Sequence, residues 1–205
     1  MEWITNPQVE EYIKSLPFEE DTVLKEMEEF GKKTNFPIVG NLVGRFLYII
    51  TKIKKPSLVV EVGSGFGYSA YWFAKAIDKG KVVLTDYREE NINMAKQFFE
   101  KGKLTEKAEF YIGDGIEIAK NFKNIDILFL DLEKSRYLEA VKSLKENISK
   151  EGLIIADNVL WHGNVIKENV DKKTDAIKKF NEYMFLNYFS VILPVRDGLL
   201  LALNI

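Results

Sequence analysis

The sequence predicts an α/β fold: a doubly wound, mostly parallel sheet of about seven strands, with helices before it and an antiparallel hairpin at its C-terminal end. From Ser57 onward, short β-branched apolar runs alternate with helical stretches, which is typical of strand–helix–strand units. The runs are continuously apolar, as expected of strands that helices cover on both faces. The last two runs are separated only by "VRD", and so short a connection requires antiparallel strands.

The first 55 residues are predicted to form helices that precede the sheet. Asn6 and Pro7 suit the N-cap and first turn of a helix over "PQVEEYIKSL". A second amphipathic helix is predicted at about 20–33, and Pro37 separates it from a third, "GNLVGRFLYIITKI". No repeat or linker divides the sequence, so residues 1–205 are predicted to form one domain whose α/β core covers 56–205.

The core elements then follow in order along the chain. The predicted strands are "SLVVEV", "KVVLTD", "AEFYIG", "IDILFLD" and "GLIIAD", then "YFSVILP" and "GLLLALN" for the hairpin. The predicted helices between them are "YSAYWFAKAI", "ENINMAKQFFEKG", "GIEIAKNF" and "YLEAVKSLKENI". Open parallel sheets bind ligands beyond the carboxyl ends of their strands, so the residues that follow each strand are the candidate functional residues.

Composition narrows the function classes. The net charge of -2 argues against a surface built for indiscriminate nucleic-acid binding. The absence of cysteine excludes disulfides, thiolate zinc sites and cysteine nucleophiles. No apolar run approaches the ~20 residues of a membrane span, and the N-terminus is too polar for a signal peptide. We therefore expect a cytoplasmic protein without a membrane partner.

A glycine-rich loop follows the first strand in "VVEVGSGFGYSA". Gly63, Gly65 and Gly67 lie between a strand and a helix, where glycine lets the backbone turn tightly and approach a nucleotide. The spacing departs from the dinucleotide pattern G-x-G-x-x-G, with Tyr68 at the place of the last glycine. A tight turn without a ligand is the alternative; the strand and helix on either side favour ligand binding.

Two acidic residues follow the next two strands. Asp86 ends the second strand, and a carboxylate there suits the two hydroxyls of a ribose. Asp114 follows the third strand in "GDG". For Asp114, an N-cap of the helix over "IEIAKNF" and a contact with a ligand are equally good interpretations.

The ends of the fourth and fifth strands carry the densest set of polar residues. Asp131 ends the fourth strand, and Asp157 and Asn158 end the fifth, so their oxygens can converge on Mg²⁺, Mn²⁺ or Ca²⁺. A cation would offset the cost of burying a carboxylate there. It would also favour the neutral amine of Lys134, which could then act as a base. The alternative is an exposed Lys134 that pairs with Glu133 or Asp131.

Trp161 and His162 follow the proposed metal ligands in a predicted loop. His162 could be a ligand or base, but a solvent-facing loop residue is the preferred interpretation because oxygen donors already account for a site. Trp161 could equally belong to the core or pack against a flat substrate.

These segments resemble the class I S-adenosylmethionine-dependent O-methyltransferases of the cation-dependent catechol and caffeoyl-CoA type, and especially their small bacterial relatives. The resemblance spans nearly the whole chain through "NFPIVGNLVGRFL", "VVEVGSGFGYSAYWFA", "FLDLEKSRY", "GLIIADNVLWHGNV" and "LPVRDGLLLALN". Two departures are visible: the family's D-A-D-K appears as Asp131-Leu132-Glu133-Lys134, and Asp86 stands where relatives often have glutamate.

The resemblance implies a Rossmann-like methyltransferase fold, a homodimer, and cation-dependent methyl transfer from S-adenosylmethionine to the hydroxyl of a catechol-like or other phenolic acceptor. It implies Lys134 as the catalytic base and Asp131, Asp157 and Asn158 as ligands of a divalent cation, usually magnesium. The residues implied for the S-adenosylmethionine site are Val39, Glu61, Gly63, Ser69, Asp86, Asp114, Gly115 and Asp131.

Three other functions stay open at this point. Some bacterial relatives methylate 5-hydroxyuridine in tRNA, and lysines in "KNFKN" and "KENVDKK" could contact phosphates, although charged helix faces explain them as well. The glycine loop with Asp86 also fits an NAD-type oxidoreductase, which the spacing of the glycines disfavours. A binding module without catalysis is disfavoured by the intact set of Asp131, Lys134, Asp157 and Asn158.

Overall fold

A computed structural model describes residues 4, 6–18 and 21–205 of the chain. The helices are α1 (Pro7–Ser15), α2 (Thr22–Thr34), α3 (Gly40–Lys54), α4 (Tyr68–Ala76), α5 (Glu89–Lys101), α6 (Gly115–Ala119), α7 (Tyr137–Leu144) and α8 (Lys172–Asn187). The strands are β1 (Leu58–Val62), β2 (Lys81–Asp86), β3 (Ala108–Ile112), β4 (Ile125–Leu130), β5 (Ile148–Asp157), β6 (Phe189–Leu193) and β7 (Leu199–Leu203). Among the described residues, no helix is both long and apolar enough to cross a membrane.

The strands form one seven-stranded sheet in the order β3-β2-β1-β4-β5-β7-β6. Strands β1 to β5 are parallel, whereas β7 runs antiparallel to both β5 and β6. The predicted fold class is confirmed. The strand order reverses between β1 and β4, and the crevice at such a reversal is where open α/β sheets bind ligands.

Helices cover both faces of the sheet, which explains why the strands are apolar throughout. Neighbouring residues on one strand enter different cores: Val59 packs with α2 to α5, whereas Val60 packs with α6 to α8. The same alternation separates Phe129 from Leu128 on β4. Because successive side chains on a strand point to opposite faces, a sheet between two helical layers needs apolar residues at every position.

Some element boundaries differ from the predicted ones. Helices α6 and α7 end at Ala119 and Leu144, before the ends of their predicted segments. The side-chain amide of Asn147 donates to the carbonyls of Lys120 (2.9 Å) and Phe122 (2.5 Å), so one polar side chain stabilises the chain beyond both helices. Strand β5 begins at Ile148, earlier than predicted, through an irregular pairing with β4.

Helix α8 is an addition to the predicted elements. Asp171 caps it by accepting a hydrogen bond from the Thr174 amide at 2.7 Å. Its buried apolar residues include Ile177, Phe180 and Met184, about one per turn. So narrow an apolar stripe among charged residues gives a weak periodic signal in the sequence.

Candidate active site

A cavity of about 1140 Å³ lies over the carboxyl ends of the central strands. Its walls come from the segment before α3, from the glycine loop, and from the residues that follow β2, β4 and β5. The predicted site residues that line it are Val39, Gly63, Ser69, Asp86, Gly115, Asp131, Lys134, Asp157 and Asn158. Of the other two predicted residues, Glu61 is fully buried on β1, and Asp114 lies between Gly113 and Gly115, which line the cavity. The fold therefore brings the predicted set together at one edge of the sheet.

The glycine loop has the backbone that only glycine adopts easily. Gly63, Gly65 and Gly67 have φ angles of +89°, +51° and +83°. A Cβ on Gly63 would lie 2.5 Å from the carbonyl oxygen of Asp131, which belongs to the backbone and cannot move aside cheaply. Gly63 thus allows the glycine loop and the end of β4 to approach each other, which joins the two parts of the cavity.

Glu61 lies fully buried on β1 beneath the glycine loop. The Ser69 hydroxyl donates to its Oε1. Its Oε2 has no well-formed hydrogen bond within the described chain, although the Ser64 hydroxyl lies close enough to influence it. Burial, reinforced by the negative charge of Asp131, raises the pKa of Glu61 to about 8. The carboxyl is therefore an unusual buried acceptor at the floor of the site.

The carboxylate of Asp86 accepts hydrogen bonds from the glycine loop and from residues at the start of α5. Its Oδ2 accepts a hydrogen bond from the Gly65 amide at 3.0 Å. Its Oδ1 accepts from the Arg88 amide at 2.8 Å and from the Asn91 side chain at 2.9 Å. The carboxylate thus fixes the glycine loop against the start of α5 while it faces the cavity.

Asp114 forms both an N-cap and an ion pair. Its Oδ1 accepts from the Ile116 amide at 2.9 Å, so the N-cap interpretation is confirmed. Its Oδ2 lies 3.0 Å from Nη2 of Arg136. Although partial burial acts in the opposite direction, hydrogen bonds from Tyr87 and Arg136 hold the pKa of Asp114 below its usual value. Contact between Asp114 and a ligand stays a prediction.

Asp131, Asp157 and Asn158 meet at the ends of β4 and β5. Asp157 is only 2% exposed, and its Oδ1 has no hydrogen-bond partner among residues 4, 6–18 and 21–205. Burial and the neighbouring charge of Asp131 raise the pKa of Asp157 to about 7. Asn158 has a left-handed backbone, with φ at +59°. A left-handed conformation is uncommon outside glycine, and such strain is frequent at functional sites.

This donor set fits a hard divalent cation. The described residues contain no group of three or more histidine, cysteine, aspartate or glutamate side chains placed to hold a metal ion. Any cation here would therefore combine the two carboxylates with the Asn158 amide oxygen, which are ligands that Mg²⁺, Mn²⁺ and Ca²⁺ accept. The unpartnered Oδ1 of Asp157 is the observation that favours such a cation.

Lys134 lies inside the site and is only 8% exposed, so the exposure that the predicted alternative assumed is wrong, whereas its pairing with Asp131 is observed. Its Nζ donates to Asp131 Oδ1 at 2.9 Å and to the Tyr137 hydroxyl at 2.6 Å. The Tyr137 hydroxyl in turn can donate to the carbonyl of Leu130 at 3.0 Å or to that of Asp157 at 2.9 Å. Lys134 is thus held by groups from both strand ends.

Tyr137 is a site residue that sequence reasoning did not single out. It is fully buried, and its ring packs edge-on against Phe180. Burial and the charges of Asp131 and Asp157 raise the pKa of Tyr137 well above its ordinary value, so its hydroxyl stays protonated. The available signal was the spacing of Lys134 and Tyr137, which places them one helical turn apart.

The loop after β5 contains further residues in left-handed conformations. Trp161 and His162 have φ angles of +45° and +56°. The Asp197 carboxylate accepts a hydrogen bond from the His162 amide and holds this loop against the turn between β6 and β7. The His162 side chain is 64% exposed, which agrees with a solvent-facing loop residue. Trp161 packs against the core that α6 to α8 form on one face of the sheet, and it also lines the cavity. Its two predicted roles are therefore compatible.

The sequence and the fold are similar to those of known proteins. A family model described as "O-methyltransferase" matches residues 14–205. Caffeoyl-CoA O-methyltransferase 2 of Petunia hybrida is 30% identical, over 89% of this chain and 83% of the relative. A methyltransferase from Geobacter sulfurreducens, solved as a crystal structure, is 30% identical with a TM-score of 0.86, and the match covers 98% of this chain and 97% of the other.

A second crystal structure, the O-methyltransferase of Bacillus cereus in complex with SAH, shares the fold with a TM-score of 0.87 at 22% identity, over 97% of each chain. The family model spans most of the sequence, and the Petunia relative is similar over most of its own length. The glycine loop and the predicted carboxylates of Asp86, Asp131 and Asp157 also line the cavity. The chain belongs to the O-methyltransferase family, whose members are S-adenosylmethionine-dependent enzymes.

Proposed function

We propose that this enzyme transfers a methyl group from S-adenosylmethionine to a hydroxyl oxygen of a catechol-like phenol, with the help of a divalent cation. One observation carries the proposal: Lys134 and Asp157, whose buried Oδ1 has no hydrogen-bond partner in the described residues, line the same cavity as the glycine loop. A base, a set of oxygen donors and a nucleotide-type loop therefore share one site. This combination suits proton removal from a hydroxyl beside a bound cofactor.

The cofactor would occupy the part of the cavity nearest β1 and β2. Gly63 lets the end of β4 pack closely against the glycine loop, and Asp86 presents a carboxylate at the end of β2. The remaining residues proposed to bind S-adenosylmethionine are Val39, Glu61, Ser69, Asp114, Gly115 and Asp131. The Oε2 atom of Glu61, which has no well-formed hydrogen bond in the described residues, suits an amino group of the ligand.

The cation would be held by Asp131, Asp157 and Asn158. Such an ion, when bound, supplies Lewis acidity toward two vicinal oxygens of a phenolic acceptor. Burial raises the pKa of Asp157 to about 7, and repulsion from the neighbouring carboxylate of Asp131 adds to this effect. Compensating this repulsion is a reason for the site to favour a cation.

Lys134 would receive the proton of the acceptor hydroxyl at Nζ. The resulting ammonium is stabilised by Asp131 Oδ1 and by the Tyr137 hydroxyl, which already contact this atom. The deprotonated oxygen then attacks the methyl carbon, the carbon–sulfur bond breaks, and S-adenosylhomocysteine leaves with the bonding electrons. The remaining task of the protein is to hold donor and acceptor in line.

The phenolic acceptor is supported by the relatives rather than by a single contact. The Petunia hybrida relative is named for caffeoyl-CoA, an acceptor that carries a catechol. In this chain Trp161 lines the same cavity and offers a flat apolar surface beside the proposed cation ligands. We therefore assign a small aromatic diol as the acceptor class.

Methyl transfer from labelled S-adenosylmethionine to 3,4-dihydroxybenzoate, with Mg²⁺ or with EDTA, tests the proposal. We expect label on the phenol with Mg²⁺, its loss with EDTA, and its return when excess Mg²⁺ is added. Asp157→Asn should abolish the response to Mg²⁺. The matched control Asp175→Asn, on a helix face where Asp175 pairs with Lys179, should retain it.

Two results would contradict parts of the proposal. Full-rate methylation of the phenol in EDTA would exclude the role of the cation. A parallel reaction with tRNA that contains 5-hydroxyuridine addresses the acceptor: label on the RNA alone would assign the same catalytic residues to RNA modification.

A further inference from the structure

Arg196 lies in the turn between β6 and β7, and its side chain reaches across the cavity to the segment before α3. Its Nη1 donates to the carbonyl oxygen of Ile38 at 3.0 Å. A methyl group on Gly40 would lie 3.7 Å from the guanidinium, which shows how closely the two segments approach. Arg196 also lines the same cavity as Ser69 and Asp157. Arg196 is therefore part of the cavity wall, and its guanidinium lies beside the segment before α3.

The charge of Arg196 is uncompensated by a direct partner. In the part of the chain that the structure describes, its guanidinium forms no ion pair, and its hydrogen bond to Ile38 uses one donor. A guanidinium has five N–H donors in a rigid plane, so the others remain available to a ligand. Arg136, by contrast, is paired with Asp114 and Glu139. Arg196 is thus a half-buried cation in a ligand cavity.

Arg196 also lies near Tyr68, whose hydroxyl its positive charge influences. Tyr68 precedes Ser69, one of the residues predicted to bind the cofactor, and both line the same cavity as Arg196.

We propose that Arg196 binds a carboxylate of a small molecule held in this cavity. The planar guanidinium matches a carboxylate in shape and can form two parallel hydrogen bonds with it. The inference rests on the proposed function, because that function supplies two candidate carboxylates. One is the methionine carboxylate of S-adenosylmethionine, and the other is a carboxylate on an acidic phenolic acceptor. The proximity of Ile38 and Gly40 to Val39 places the cofactor's carboxylate first.

The test is a cycle that combines variants of Arg196 with ligands that differ only in the carboxylate. Binding of S-adenosylmethionine and of decarboxylated S-adenosylmethionine is measured by calorimetric titration for the wild type, Arg196→Met and Arg196→Lys. Methyl transfer in Mg²⁺ is measured with 3,4-dihydroxybenzoate and with 3,4-dihydroxybenzamide. Any general effect of losing the bond to Ile38 cancels between the paired ligands.

We expect the Arg196→Met exchange to weaken one carboxylate-bearing ligand about 10- to 100-fold, as for a lost charge-assisted hydrogen bond, and to leave its neutral partner within about twofold. Arg196→Lys should recover part of this loss because it keeps the charge but not the planar fork. Selective loss of S-adenosylmethionine binding identifies the cofactor's carboxylate. Selective loss of kcat/KM for 3,4-dihydroxybenzoate identifies the carboxylate of the acceptor as the group that Arg196 binds.

The failures are distinguishable. Suppose that the wild type binds S-adenosylmethionine and methylates both phenols. If Arg196→Met then weakens binding or catalysis equally for the charged and the neutral ligands, the inference about Arg196 alone is overturned. A wild type that neither binds the cofactor nor methylates either phenol overturns the proposed function, and this inference with it.

Discussion

The carboxylates on the two sides of the cavity are bonded differently. On the β2–β3 side, Asp86 and Asp114 accept hydrogen bonds from the protein through both carboxylate oxygens. On the β4–β5 side, Asp157 has one oxygen without a hydrogen-bond partner in the described chain, and its pKa is raised to about 7. A buried polar atom without a partner costs roughly 1–3 kcal/mol, so its presence calls for an explanation.

The difference distinguishes carboxylates that stabilise the structure of the site from a carboxylate that is available to bind a ligand. Bonds to Asp86 and Asp114 position the glycine loop and α6, and a bound cofactor adds to an arrangement that is already stable. Asp157 lies beside the ion pair of Asp131 and Lys134 and keeps one carboxylate oxygen without a hydrogen-bond partner in the described residues. We therefore expect substitutions on the β4–β5 side to change chemistry and pH response, and those on the β2–β3 side to change affinity modestly.

The largest effect is expected for Lys134→Met. Removing the proposed base should lower kcat about 10²- to 10⁴-fold, the usual contribution of general base catalysis, with little change in cofactor affinity. Methionine retains most of the side-chain volume, so the fold should persist. Lys120→Met is the matched control, because the exposed side chain of Lys120 pairs with Glu117 at the surface. Equal rates for the two variants would remove Lys134 from the mechanism.

The pH dependence of stability should come largely from the buried carboxyls. The pKa of Asp157 is 3.8 in the unfolded chain and about 7 in the folded protein. Between these values the folded state holds a proton that the unfolded state has lost. The free energy of unfolding therefore falls as pH rises, by at most about 1.4 kcal/mol per pH unit for this group, and levels off above pH 7. Glu61 adds a similar fall between 4.5 and about 8.

Urea unfolding at pH 5, 6, 7 and 8 in EDTA measures this slope. Asp157→Asn should remove the part of this pH dependence that comes from Asp157 and leave the part that comes from Glu61. Added Mg²⁺ should restore stability at pH 8 in the wild type, because a ligand that binds only the folded state stabilises it by mass action. The same Mg²⁺ should not stabilise Asp157→Asn. An unchanged slope in the variant would show that the carboxyl of Asp157 is ionised throughout.

A smaller effect is expected for Tyr137→Phe. The exchange keeps the ring against Phe180 but removes the hydroxyl that contacts Lys134 Nζ. We expect kcat to fall about 10-fold and the KM for S-adenosylmethionine to stay constant, since a misplaced base affects the chemical step. The lost hydrogen bonds should destabilise the fold by about 1–3 kcal/mol.

Tyr188→Phe provides the control for Tyr137→Phe. The Tyr188 hydroxyl is buried and has no hydrogen-bond partner in the residues that the structure describes, so its removal tests a buried tyrosine far from Lys134. Its kcat should equal that of the wild type. A rise in the KM for the cofactor in Tyr137→Phe, with kcat preserved, would assign Tyr137 to the cofactor region instead.

Most of the fold could be predicted because its signals are local. Continuous apolar strands, the glycine loop and the "VRD" connection each specify a structure within a few residues. The ends of α6 and α7 could not be predicted in this way. They depend on Asn147, whose side chain reaches carbonyls more than twenty residues away in sequence. Helix α8 was missed because its apolar stripe is narrow.

The candidate site was predictable where residues directly follow a strand. Asp86, Asp131 and Asp157 could be placed at one edge because parallel strands end on the same side. Tyr137 and Arg196 could not be predicted as site residues, because their roles depend on partners from other elements. Tyr137 contacts Lys134 and the ends of two strands, and Arg196 contacts Ile38. Hydrogen-bond partners distant in sequence require the folded geometry.

The smallest effect is expected on the β2–β3 side, for Asp114→Asn. Asparagine caps a helix as well as aspartate does, so the bond to the Ile116 amide survives. The lost ion pair with Arg136 is partly exposed and contributes roughly 0–1 kcal/mol. We expect the free energy of unfolding to change by less than about 1 kcal/mol and cofactor affinity by a few fold, measured by urea unfolding and titration. Asp114→Ala, which also removes the cap, should destabilise by about 1 kcal/mol more. A loss of kcat as large as that of Lys134→Met would show that a carboxylate with complete hydrogen bonds also takes part in the chemistry, and the distinction between the two sides of the cavity would fail.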